Sequence, residues 1–182
     1  IYHLALIRSL KKKNKVTIPI SILNIGGITN ITEIDEEFNI SSRDIGPGNC
    51  LIDKWIRKNS DKFYDDEGSF AKKGKVDKFI FDQYLENYYY SKINSKRSLD
   101  TNDFDISFAK GLSIENGAAT ITSITSELIS KKLGTNKIYI CGGGRKNRFL
   151  INSLKDKIKN LLFLIDDLNI DGDFIESQAF AF

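Results

Sequence analysis

The sequence predicts an α/β lobe in which a three-stranded meander precedes alternating helices and parallel strands. Three observations carry that expectation. Apolar, β-branched runs at residues 20–24, 28–34 and 38–45 lie close together with only short turns between them, and strands joined so tightly pair antiparallel. Later apolar runs at 137–141 and 161–165 are separated by helical patterns, the connection that parallel strands need. A Gly-rich turn follows a strand at 24–30, 44–49 and 142–147, and ligands of open α/β sheets sit beyond the carboxyl ends of strands.

Taken in order, residues 2–10 are a short apolar segment that reads as the tail of a helix. The first strand, 20–24, runs into Gly26-Gly27 and then the second strand. Ile25, Ile28, Ile31 and Ile34 recur every third residue, which does not separate strand from helix. Their β-branching and the Gly pair favour strand. Asp35-Glu36-Glu37 reads as a polar turn before the third strand. A helix then carries Leu51, Ile52, Trp55 and Ile56 on one face. Residues 59–74 are charged and turn-rich, a surface loop; 76–90 have helical spacing; 92–105 are irregular. Ser113 can cap a long helix striped by Ile114, Ala118, Ile121, Ile124, Leu128 and Ile129, with Gly134 where a C-terminal cap belongs. A strand at 137–141, the triple Gly, a helix through Phe149, Leu150 and Leu154, a strand at 161–165, an acidic turn at 166–173 and a helix from about Phe174 complete the chain.

The 182 residues, 41% hydrophobic, suffice for one substantial domain. A net charge of +3 is too mild to argue for nucleic acid or an anionic membrane. The run Lys11-Lys12-Lys13-Asn14-Lys15 reads as a solvated loop or helix end, and Tyr88-Tyr89-Tyr90, lacking interleaved basic residues, as a half-buried helix end. Cys50 and Cys141 match no metal pattern and read as buried free thiols. No apolar stretch approaches the roughly 20 residues of a membrane helix, and no basic segment precedes an apolar one at the start; cytoplasm is the expected location. The chain contains no Met and closes on Ala179-Phe180-Ala181-Phe182. Both ends therefore read as cut, and a longer parent protein is expected.

The three turns hold the candidate chemistry. Gly26 and Gly27 allow a backbone to approach another molecule, with Asn24 and Asn30 as flanking amides. At 44–49, Pro47 fixes φ while Gly46 and Gly48 let backbone N–H groups converge beside Asn49, with a helix dipole behind them, a natural phosphate neighbour. Gly142-Gly143-Gly144, followed by Asn147, reads as a flat wall for a purine or ribose. Neither the Walker nor the Rossmann spacing is present. Asp44 could orient a water or a magnesium ion, or bond its own loop. Asp171, Asp173 and Glu176 read as capping and dipole partners of the last helix. His3, the only histidine, has no partner that the sequence assigns.

Together these stretches resemble a known family. Leu23-Asn24-Ile25-Gly26-Gly27-Ile28-Thr29-Asn30-Ile31-Thr32, Asp44-Ile45-Gly46-Pro47-Gly48-Asn49-Cys50-Leu51-Ile52-Asp53 and Cys141-Gly142-Gly143-Gly144-Arg145-Lys146-Asn147 are similar to anhydro-N-acetylmuramic acid kinase. So are Arg97-Ser98-Leu99-Asp100, Ala119-Thr120-Ile121-Thr122 with Thr125, and the run from Asp171 to Ala181. The match runs in order through nearly the whole chain. Departures from the family pattern are small: Arg97 for a common Lys, Ser177 and Thr29 each for a common Ala.

The resemblance implies a ribonuclease H-like lobe of the actin, hexokinase and Hsp70-like fold, with residues 1–182 as the second of two lobes. It implies ATP as donor, magnesium as helper, and anhydro-N-acetylmuramic acid as acceptor. That sugar's 1,6-anhydro ring is opened and O6 phosphorylated during peptidoglycan recycling. It implies nucleotide binding by Asn24, Gly26, Gly27, Gly142, Gly143, Gly144 and Asn147. Asn30, Asp44, Gly46, Gly48 and Asn49 are expected to line the cleft. Ile1-Tyr2-His3 looks like the end of a Pro-x-x-His element, which places the aspartate base upstream of Ile1. A homodimer is implied; nucleic acid and membrane are not. A nucleotide-binding lobe that serves as a partner-binding module, without sugar chemistry, is the competing expectation.

Overall fold

The computed structural model describes residues 2–91, 93, 98–134, 136–158 and 162–181. Five strands form one sheet in the order β3-β2-β1-β4-β5. β1 (Ile20–Ile25), β2 (Ile28–Ile34) and β3 (Ile40–Pro47) are the antiparallel meander. β4 (Lys137–Cys141) pairs parallel with β1, and β5 (Leu162–Leu164) parallel with β4. This is the expected α/β order. Both faces of β1 are buried, as a central strand covered by helices on each side must be.

One face of the sheet, through Leu23, Ile25, Ile31 and Ile140, packs with Ile129 of α5 (Ile114–Ser130) and Leu150 and Leu154 of α6 (Arg148–Lys157). The other, through Ile20, Ile22 and Ile34, packs with Ile7 and Leu10 of α1 (Tyr2–Lys12) and with Ile175 of α7 (Ile175–Ala181). A third cluster surrounds Trp55 of α2 (Cys50–Asn59), between α5 and two further helices, α3 (Ser69–Lys73) and α4 (Lys78–Tyr90). Trp55 is 3% exposed, and its indole N–H donates to the Ile114 carbonyl at 2.9 Å. Trp55→Phe keeps most of the apolar volume but removes the indole donor to that carbonyl. A loss of about 1–2 kcal/mol is expected, read as a lower urea midpoint at unchanged slope. Among the described residues no helix is long and apolar enough to cross a membrane.

Two expectations shift. β3 begins at Ile40 and not at Phe38, because the turn is longer than the Asp-Glu-Glu run. The Asp35 carboxylate accepts from the N–H groups of Glu37 and Asn39, and Phe38 adopts φ +64° within that turn. The loop expected at 59–74 contains α3. Its first N–H groups, of Phe70 and Ala71, donate to the buried Asp65 carboxylate at 2.7 and 3.0 Å. Part of the irregular stretch at 92–105, and Leu161 of the expected last strand, lie outside the described residues.

Candidate functional site

Strands β1 and β4 run parallel, so their following turns emerge at the same edge of the sheet. β3 is antiparallel to β2 and therefore delivers its own turn to that edge as well. The sheet thus brings together the three Gly-rich turns. Their backbone contacts are specific. The N–H groups of Asn49 and Gly48 donate to the carbonyls of Gly26 and Gly27 at 2.8 and 2.9 Å, and that of Cys50 to Gly27 at 3.1 Å. This differs from the sequence expectation. The N–H groups at the start of α2 do not converge on an open space; they are satisfied by the hairpin beside them, as helix-start donors must be by some acceptor. A side chain at Gly48 would collide with the Gly26 carbonyl, so Gly48 serves this latch. At Gly46 a Cβ would meet nothing nearer than Leu128, at 3.8 Å.

The triple-Gly turn also differs from a uniformly open wall. Gly142 has φ +80°, and a Cβ there would lie 2.7 Å from the Ile25 carbonyl oxygen and closer still to the Asn24 amide oxygen. A Cβ at Gly144 would collide with the Ile25 side chain. These two glycines dock the turn onto β1. Gly143 alone is exposed and faces outward, with the Asn49 amide nitrogen 3.8 Å from its Cβ position.

Asn24 is buried on β1, in register with Asn30 and Cys141. Asn30 is half-buried opposite Asp44. The Asp44 carboxylate accepts from the Leu99 N–H at 2.8 Å, so it anchors the segment near Leu99 and not its own loop. Asn147 is the N-cap of α6, accepting from the Leu150 N–H at 3.0 Å. His3 Nδ1 is 2.8 Å from Thr32 Oγ1, which in turn is 2.9 Å from Ser42 Oγ. Burial holds the His3 imidazole below its ordinary pKa.

A cleft of about 300 Å³ opens beside Gly143. One wall is α2, through Asn49 and Asp53; the second is the β4–α6 turn, through Gly143, Lys146 and Asn147; the third includes Tyr64. Sequence reasoning singled out Asn49, Gly143 and Asn147 and missed Asp53 and Tyr64. Asp53 was findable: it follows Asn49 by four residues, one helical turn. Nothing in the charged stretch around Tyr64 marks it. Burial pushes the Asp53 carboxyl up to about 6, with the charge of Arg57 opposing. Burial also raises the Cys50 thiol to about 11, leaving it protonated and unreactive at neutral pH.

Behind the cleft, Arg145 ties the triple-Gly turn to the acidic stretch. Its side chain is 7% exposed and pairs with Asp166 at 2.8 Å and Asp173 at 2.6 Å. It also donates to the Gly142 carbonyl at 3.0 Å, while the Gly142 N–H donates to Gly172 at 3.0 Å. Lys146 joins Asp173 at 2.6 Å. Asp173, expected to serve the last helix, is instead part of this clamp. Hydrogen bonds from Arg145 and Lys146 hold its carboxyl down at about 2. A folded-state pKa below the ordinary value near ~3.9 contributes stability above about pH 4, and that contribution is lost as pH falls towards 2. The urea midpoint of the wild type should therefore fall more between pH 5 and pH 2.5 (about the two limits of that window) than that of Asp173→Asn.

A family model described as anhydro-N-acetylmuramic acid kinase matches residues 2–182. A protein of that name from Pelagibacter ubique is 40% identical over 195 residues, covering 100% of this chain and 51% of its own length. One from Zymomonas mobilis is 36% identical over 188 residues, covering 100% of this chain and 50% of its own length. The chain spans about half the length of the curated relatives it matches. Among solved structures, the activator of the 2-hydroxyisocaproyl-CoA dehydratase from Clostridium difficile with bound ADPNP aligns with a TM-score of 0.52 at 13% identity. That alignment covers 88% of this chain and 57% of the other. Such a likeness bears on the fold alone, and the fold is the ribonuclease H-like α/β lobe.

Proposed function

Because this chain belongs to the anhydro-N-acetylmuramic acid kinase family, we propose that it is the second, nucleotide-holding lobe of a two-lobe sugar kinase. The observation that carries the reading is the family match over residues 2–182, laid on a sheet edge where three Gly-rich turns meet. ATP is the phosphoryl donor. Its adenosine lies in the cleft beside Gly143, between Asn49 and Asn147, and its phosphates run towards the Gly26-Gly27 turn. Gly142 and Gly144 shape this site indirectly, by seating the turn on β1. Asn24 and Asn30 are paired across β1 and β2 at that edge, Asp44 anchors the segment near Leu99, and Gly48 lets the start of α2 latch onto the hairpin.

The sugar is anhydro-N-acetylmuramic acid, in the cytoplasm, and the product is N-acetylmuramic acid 6-phosphate for peptidoglycan recycling. Water attacks the anomeric carbon with help from a carboxylate base that precedes Ile1, while O6 takes the γ-phosphoryl group. For such a transfer, positioning and electrostatics dominate. The described residues form no ready-made magnesium cage. No three His, Cys, Asp or Glu side chains gather among the described residues, and Asp44 is engaged with Leu99. Magnesium belongs with the nucleotide phosphates.

The test uses the full-length protein with ATP and the anhydro sugar, followed by mass spectrometry. The expected product carries both a phosphoryl group and the elements of water. ATP consumption with an unmodified sugar would count against the kinase reading.

A further inference from the structure

The cleft beside Gly143 contains a carboxylate for which the fold has no partner. Asp53 accepts no hydrogen bond among the described residues, and the charge of Arg57, one turn further along α2, is the opposing influence on it. The other charged groups around the cleft are accounted for differently. Lys146, across from Asp53, is held by Asp173 at 2.6 Å. Asp65 is engaged with the N–H groups of Phe70 and Ala71, and Glu67 pairs with Arg148 at 3.0 Å; Asp66, a second lining carboxylate, is exposed to solvent, whereas Asp53 is half-buried. Gly143 presents a wall without a side chain, and Tyr64 an aromatic ring. The volume of about 300 Å³ lies at the small end of the range for ligand pockets, about 300–1,000 Å³. These are the dimensions and surfaces of a slot for a planar heterocycle with one half-buried, unbonded carboxylate at its side.

We propose that Asp53 selects the base of the nucleotide, its carboxylate accepting a hydrogen bond from an exocyclic amino group on the purine. This rests on reading the cleft as the nucleoside site. An ionised carboxylate only accepts. A purine with an amino group at C6 satisfies it, whereas one with a carbonyl there sets acceptor against acceptor. A site built to bond one group rejects the analogue that lacks it, because the buried group is then left unpaired. The competing role for Asp53 is purely structural: an acidic residue in the first turn of a helix stabilises the helix dipole. That role would affect stability and leave base preference alone.

The experiment measures dissociation constants of the full-length protein for ATP and inosine triphosphate by isothermal titration at about pH 8, where a carboxyl near ~6 is ionised. The wild type is expected to prefer ATP by roughly tenfold or more, the usual worth of a hydrogen bond to a charged group. Asp53→Asn should reduce the preference to about threefold or less, because an amide can also turn its N–H₂ towards a carbonyl. Wild-type protein that binds both nucleotides equally overturns the proposal without needing any variant. So does Asp53→Asn with the wild-type preference intact, and a lowered melting temperature in that case identifies a dipole partner. Wild-type protein that binds neither nucleotide overturns the nucleoside reading itself, and base selection with it.

Discussion

Gly142→Ala is expected to destabilise the protein by about 3–5 kcal/mol, combining a backbone region that essentially only Gly occupies with overpacking against a fixed neighbour. Gly142 sits at φ +80° and ψ 170°. An L side chain there is strained before any contact is considered. The contact then adds to the strain, since the new methyl group would meet the Asn24 amide and the Ile25 carbonyl. Neither can withdraw: Asn24 is in the sheet between β2 and β4, and Ile25 is fully buried. Relief requires the turn to lift from β1, which moves Gly143 and the cleft wall. The measurement is paired. Urea denaturation should show the loss of stability, and ATP titration of the full-length protein should show weaker binding beyond what the unfolded fraction explains. A variant with wild-type stability would show that the turn is not seated on β1 as described.

Arg145→Ala should cost about 2–4 kcal/mol. Breaking a buried ion pair typically costs about 3–5 kcal/mol, but Asp166 and Asp173 are 41% and 40% exposed. Water can rehydrate their carboxylates once the guanidinium is gone, which shifts the loss downward from that range. The Gly142 carbonyl loses a donor too. The effect has a direction in pH. The Asp166 and Asp173 carboxyls are held down by Arg145, so removing it lets both rise towards ordinary values. The gap between wild type and Arg145→Ala should be widest near neutral pH and should close as pH falls through about 4 towards 2. A gap that stays constant across that window would mean that Arg145 acts through packing and not through charge.

Much of this architecture was legible in the residues. The three β-branched runs, the Gly pair and the helical stripe beginning after Ser113 place β1, β2 and α5 well, because each pattern reports burial, and burial decides the element. The meeting of the three turns was legible too, since strand direction dictates where a turn emerges. What stayed hidden depends on partners distant in sequence. The N–H groups after Pro47 could have faced a ligand as easily as the hairpin carbonyls; only the packing of one turn against another decides. α3 was obscured because its anchor, Asp65, looks like one more acid in a charged loop. Asp44 lies 55 residues from the N–H it holds. Asp53 carries no sequence signal of its role, because its meaning comes from the cleft in front of it.

The latch between Gly26-Gly27 and the start of α2 has a mechanical consequence. Those hydrogen bonds restrain the helix from rotating or sliding against the hairpin. The Gly26-Gly27 turn and α2 therefore share a single set of rigid-body coordinates. Any motion of the hairpin carries Asn49 and Asp53 with it, so the spacing between the Gly26-Gly27 turn and the α2 side of the cleft is a fixed length of the molecule, like the gap between two marks on a ruler.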